Sequence, residues 1–203
     1  MSGADASYFV SAKHWYGAPF GVWRLDRNDN QHDDQRNESA SDEWQRLPRS
    51  DTPFSTNDRA KPVFDTQRKR ILFYGARDES PGAAKSDSAP PLLYAYDIAK
   101  GAWGPLPLKI TPPATQAPAS MAWGIAYSAK HDALLLLPGG QKQDTWLLDL
   151  ADNSLRKFAP GPETGSAGTN GLVYSGAEDL FLTLETGRDG VGPVTVHALR
   201  LRK

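Results

Sequence analysis

Apolar residues along this chain come in short runs separated by polar turns, and the runs recur in a fixed frame. Three segments align without a gap: Phe64 to Gly75, Tyr127 to Pro138 and Tyr174 to Glu185. Each begins on an aromatic residue that closes one strand, crosses a polar turn and enters a second, apolar strand. Runs of four or five apolar residues match strands and fall well below the length of ordinary helices. Where every position is apolar, as from Leu134 to Leu137, both faces of the sheet must be covered. Alternate side chains of a strand point to opposite sides.

A third strand follows each pair: Leu92 to Asp97, Thr145 to Asp149 and Val194 to Arg200, with Trp23 to Asp26 as an earlier copy. A fourth carries a bulky apolar anchor, then a second apolar residue and a proline. Trp44 with Leu47-Pro48 and Trp103 with Leu106-Pro107 match closely, and Leu155 with Phe158-Ala159-Pro160 matches loosely. Proline cannot donate to a ladder, which suits an outer strand. The reading is all-β: fourteen strand-like segments in units of about 7–50, 61–108, 121–161 and 169–203, with 27–43 as an acidic polar insert. The first unit lacks an inner strand and the last an outer one. Further inserts at Asp78 to Pro91 and Thr111 to Ala119 stretch the second unit. Four strands in roughly 45–50 residues is the period of propeller blades, which bury their faces only against neighbours.

Composition supports a turn-rich fold, with 18 Gly and 16 Pro among 203 residues. Hydrophobic residues at 39%, including six Trp, seven Tyr and seven Phe, are enough to build a core. With 23 basic against 24 acidic residues, nothing in the charge balance favours nucleic acid or an anionic membrane as partner. The absence of cysteine excludes disulfides, thiolate zinc sites and cysteine nucleophiles. The longest aliphatic run, Ala133 to Leu137, is far short of the roughly 18 residues of a membrane span. Met1 to Val10 lacks the basic and apolar regions of a signal peptide. Taken as it stands, the chain is expected in the cytoplasm; a start upstream of Met1 would reopen the compartment.

The succession of aromatic, turn, aliphatic strand, Gly-Gly, then Tyr/Leu-Asp and Trp resembles a kelch repeat. The third unit fits best, through Leu134 to Leu137, Gly139-Gly140 and Asp144 to Asp149. The second carries Tyr96-Asp97 and Trp103 with the single Gly75. The last is degenerate, with Gly187 alone and Arg200 in place of the aspartate. The resemblance, to the galactose oxidase-like propeller superfamily, implies a kelch-type β-propeller. Such propellers usually close with six or seven blades, so two strands fewer than four full blades imply the C-terminal part of a larger ring, with blades missing upstream. The alternative is a small propeller or an arc completed by self-association. Arg200, Arg202 and Lys203 would blunt the last strand's open edge without replacing a blade.

The resemblance also places ligands on the face formed by the loops between second and third strands. There the chain has Trp15 and Tyr16, Arg77 and Asp78, Gln141, and Arg188. The aromatic pair offers a stacking surface, and the arginines can meet a carboxylate. The expected role is a recognition scaffold for a protein or a glycan, with no cofactor. The alternative is a sugar isomerase or lyase whose acids and bases come from several loops. Ordinary solvated loop residues would have the same composition.

Other features have plainer readings. Trp44 and Trp103 sit at equivalent repeat positions and are expected to pack between blades; Trp146 is expected in the core, and Trp123 opens a strand. The stretch from Asp26 to Asn37 alternates oxygen ligands like a calcium loop. It has Gln31 where the turn needs glycine and Asn37 where a bidentate glutamate is needed. Asn37-Glu38-Ser39 is a glycosylation sequon, relevant only in a secreted chain. His14, His32, His131 and His197 lie in different units without ligand spacing. No phosphate loop or Gly-x-Ser-x-Gly elbow occurs. The copper site of galactose oxidase needs a cysteine that this chain lacks.

Overall fold

The computed structural model describes residues 6–11, 21–26, 44–48, 54–55, 62–78, 92–112, 122–138, 144–160, 171–185 and 194–201. Sixteen strands and no helix occur among them. The first sheet is β1 (Ala6–Ser11), β2 (Gly21–Asp26) and β3 (Gln45–Arg46), in that order. The second is built from β5 (Pro62–Asp65), β6 (Arg70–Asp78), β7 (Leu92–Asp97) and β8 (Ala102–Leu106). The third is β10 (Ala122–Ser128), β11 (Ala133–Pro138), β12 (Asp144–Asp149) and β13 (Ser154–Pro160). The fourth is β14 (Leu172–Ser175), β15 (Leu180–Glu185) and β16 (Thr195–Leu199). Each is an antiparallel meander.

Two two-residue strands were not foreseen. Phe54–Ser55, strand β4, pairs with the far end of β6, and Lys109–Ile110, strand β9, runs parallel to the outer strand β13. The segment leaving the second sheet thus covers the outer edge of the third. Lys109 N–H donates to Asn153 O at 2.9 Å, and Thr111 N–H donates to Leu155 O at 2.9 Å.

The four-leucine run shows why the sheets stack. Leu134 and Leu136 pack toward the second sheet, in one cluster with Leu72, Tyr74 and Leu93. Leu135 and Leu137 pack toward the fourth, with Leu172, Phe181 and Leu201. All four are at most 6% exposed, so the third sheet is covered on both faces. A further cluster joins Tyr8, Val22 and Leu47 of the first sheet to Ile71, Tyr96 and Trp103 of the second.

The first strands of successive full sheets are the closest inter-sheet neighbours, β10 lying against β5 on one side and β14 on the other. At Gly124 a Cβ would stand 2.8 Å from Leu172 Cβ, so only glycine admits this approach. Sheets drawn together along their first strands and packed face to face are propeller blades. The chain is an all-β array of such blades.

The register bears out the equivalence of Trp44 and Trp103. Tyr96 faces Trp103, and Leu148 faces Leu155 at the same place in the next sheet. In the first sheet Arg24 faces Gln45, which puts Trp44 beside Leu25. Their packing differs. Trp103 meets Phe54 and Tyr96 within 5.3 Å between centroids. Trp44 is 45% exposed, because no described strand covers the outer face of the first sheet. Trp146 is buried, as expected. The side chain of Trp123 and the calcium-like stretch beyond Asp26 lie outside the described residues.

Candidate functional site at the loop end of the sheets

The two ends of the sheets differ in kind. At one end the first two strands of each full blade are joined by a tight turn built the same way three times. Asp65 Oδ1 accepts from the N–H groups of Gln67 and Arg68, each at 3.1 Å. Ser128 Oγ accepts from His131 N–H at 3.2 Å, and Ser175 Oγ from Glu178 N–H at 3.4 Å. Such side-chain caps replace backbone partners that a turn leaves unused. The residue before the second strand is left-handed in every copy: Lys69 at φ 51°, Asp132 at 49° and Asp179 at 53°.

These turns also clasp one another. Arg68 makes two 2.6 Å hydrogen bonds to the Asp132 carboxylate of the next turn. One step on, His131 Nε2 lies 2.8 Å from Asp179 Oδ1, and Lys130 Nζ lies 2.7 Å from Oδ2. Tyr174 O–H donates to Asp179 Oδ1 at 2.8 Å. The Lys130 ammonium, the Tyr174 hydroxyl and His131 hold the Asp179 carboxyl well below the usual carboxylate range, against the opposing effect of burial. Asp65 is fully buried; burial pushes its carboxyl up, but the Arg68 N–H and the Arg70 side chain together pull it lower. Burial and the neighbouring Asp65 charge push the Tyr127 phenol up to about 12. This end is a set of charges that satisfy each other between blades. Its chemistry is that of a clamp.

In the second and third sheets the turns between third and fourth strands close the same end. Asp97 Oδ1 accepts from Lys100 N–H at 3.0 Å and Asp149 Oδ1 from Ala151 N–H at 2.9 Å. Gly101 at φ 61° and Asn153 at φ 58° complete the two turns.

The connections between second and third strands therefore leave from the opposite end. They follow β1, β6, β11 and β15 in four consecutive blades. Of the six residues expected there, Trp15, Tyr16, Gln141 and Arg188 lie outside the described residues. Arg77 and Asp78 are not in a loop: they extend β6, facing Ser55 and Phe54 of β4. The extra strand β4 supplies backbone partners that keep β6 extended for two more residues. Beneath this rim Phe54, 1% exposed, packs on Phe73 at 4.9 Å and Tyr94 at 4.7 Å. Phe54 leaves no strand signal in the sequence, because an isolated Pro53-Phe54 between polar residues has no strand period. Among the described residues no three His, Cys, Asp or Glu side chains come together as metal ligands.

No protein-family model matches the chain, and no curated protein matches it. Solved structures do resemble it. TolB from Acinetobacter baumannii is 15% identical, with a TM-score of 0.45, over 91% of this chain and 38% of that one. A protein from Lactobacillus plantarum is 12% identical, with a TM-score of 0.35, over 65% of this chain and 37% of that one. The chain thus spans under two fifths of the length of either.

Proposed function

We propose that the protein is a recognition scaffold of the kelch type that binds a protein or a glycan at the loop end of its blades. The observation that carries this reading is the contrast between the two ends. One carries three side-chain-capped turns that clasp one another through Arg68–Asp132, His131–Asp179 and Lys130–Asp179. The other sends off the connections between second and third strands of four consecutive blades, with Arg77 and Asp78 at the rim. Function on propellers gathers where loops from several blades meet on a rigid base. In this reading Trp15 and Tyr16 stack on a ring or peptide face, while Arg77, Gln141 and Arg188 bond its polar groups.

The test is a glycan array and a peptide-display library probed with the intact chain and two variants. The first variant carries Trp15→Ala, Arg77→Ala and Arg188→Ala. The second carries Lys130→Ala and Arg200→Ala at the turn end. The proposal expects ligands that bind the intact chain and the turn-end variant alike and lose about tenfold or more on the loop-end variant. Ligands lost only on the turn-end variant would overturn it.

A further inference from the structure

We propose that the junction of the third and fourth sheets holds, toward its loop end, a hydrogen-bonding site for the neutral hydroxyl edge of a sugar, with the Thr145 hydroxyl as its floor. This inference rests on the loop-end reading and narrows it, from protein or glycan to glycan and from the whole end to one junction. The repeat shows what the site replaces. Thr145 corresponds in the alignment to Leu93 and Val22, Thr183 to Leu136 and Phe73, and His197 to Trp146 and Tyr94. The register agrees: Phe73 faces Tyr94, Leu136 faces Trp146 and Thr183 faces His197.

Between the second and third sheets, Leu93, Leu136 and Trp146 belong to one apolar cluster, so the three places lie together in a junction. Between the first and second sheets the places hold Val22, Phe73 and Tyr94, again packed in apolar clusters. Between the third and fourth sheets all three are polar. Their side chains point into that junction. Alternation puts Thr145 on the side of Leu147, which packs toward the fourth sheet. The extra residue of the nearby bulge lies on β13 and leaves β12 in phase. Thr183 alternates with the exposed Leu184, and His197 with the exposed Val196, so both face the third sheet.

Thr183 Oγ1 donates to Gly171 O at 2.7 Å and is satisfied. Thr145 Oγ1 is buried without a hydrogen-bond partner, in a residue 1% exposed. Buried hydroxyls nearly always have a partner, and one without marks a place to which a partner comes. Thr145 is the second residue of β12 counted from the loop end, so a ligand group reaches it one residue deep. The chemistry of the three side chains selects the ligand. Hydroxyl and imidazole groups donate and accept, and neither threonine carries a charge to hold an ion. A sugar hydroxyl likewise donates and accepts from a single atom, which suits the single Thr145 hydroxyl. A peptide backbone divides the two roles between N–H and C=O.

The experiment titrates the intact chain with glucose, galactose and mannose in turn, reading threonine methyl and backbone amide shifts by nuclear magnetic resonance. At least one sugar is expected to move the Thr145 and Thr183 methyls along one saturating curve. Thr145→Val should then bind that sugar about tenfold more weakly, and Thr145→Ser like the intact chain, with far-UV spectra as the folding control. Should Thr145→Val fail to fold, the titration of the intact chain and of Thr145→Ser decides. No shift at Thr145 with any of the three sugars overturns the proposal. A sugar that moves other loop-end residues and not Thr145 overturns it while the loop-end reading stands. A library peptide that moves Thr145 where no sugar does overturns the sugar assignment. Ligands lost on the turn-end variant alone, with Thr145 unmoved, overturn both readings.

Discussion

Lys69, Asp132 and Asp179 hold the same left-handed backbone at the same place in three turns, and Asn153 does so in another. That conformation costs about 1–2 kcal/mol for a residue with a Cβ, least for Asn and Asp. Asn153→Ala should therefore destabilise by about 1 kcal/mol and Asn153→Gly hardly at all, as read by urea denaturation. The Arg68–Asp132 pair is bidentate yet a quarter to a third exposed. A double-mutant cycle should give a coupling of about 0.5–1 kcal/mol, weakening in high salt. Asp179 supplies the pH dependence. Its carboxyl titrates lower folded than the ordinary 3.8, so the unfolded chain takes up the proton first as pH falls. The stability it contributes is full above the ordinary value and lost as pH drops through the folded one. The advantage of the intact chain over Asp179→Asn, measured as urea midpoint, should shrink steadily below pH 3.8. A constant advantage down to the acid limit would contradict the assignment. The positions of these residues were legible in the gapless alignment. Their partners were not, because an Arg68 to Asp132 bond depends on how sheets stack, which no single turn encodes.

At the scale of the element, all fourteen strands expected from apolar runs form, and they sort into four meanders. The runs were readable because strand period and burial on both faces leave a pattern. Strands β4 and β9 were not, since two residues held by a neighbour's edge need no pattern of their own. The same blindness put Arg77 and Asp78 in a loop. Among the described residues, Gly124 sets a sharp constraint on inter-sheet approach. Gly124→Val should cost about 1–3 kcal/mol through overpacking of β10 against β14. Leu134→Ala, at 0% exposure, should cost about 2–5 kcal/mol. Val173→Ala, on the open face, should change monomer stability by less than about 0.5 kcal/mol.

For the whole molecule, the architecture was legible further than the chemistry. Blade-length units announce themselves through repetition, whereas a propeller's binding face is assembled from separate loops with no linear motif. Trp44 shows the limit from the other direction: its repeat position was readable, but its exposure depends on what lies beyond the first sheet. The third sheet is a blade gripped on both faces. Methyl-labelled nuclear Overhauser spectroscopy tests it most directly, on a chain of 22.2 kDa. Leu134 and Leu136 should show contacts to Leu72 and Leu93 of the second sheet. Leu135 and Leu137 should show contacts to Leu172 and Phe181 of the fourth. Contacts from all four leucines to one and the same sheet, or to neither, would contradict the blade array.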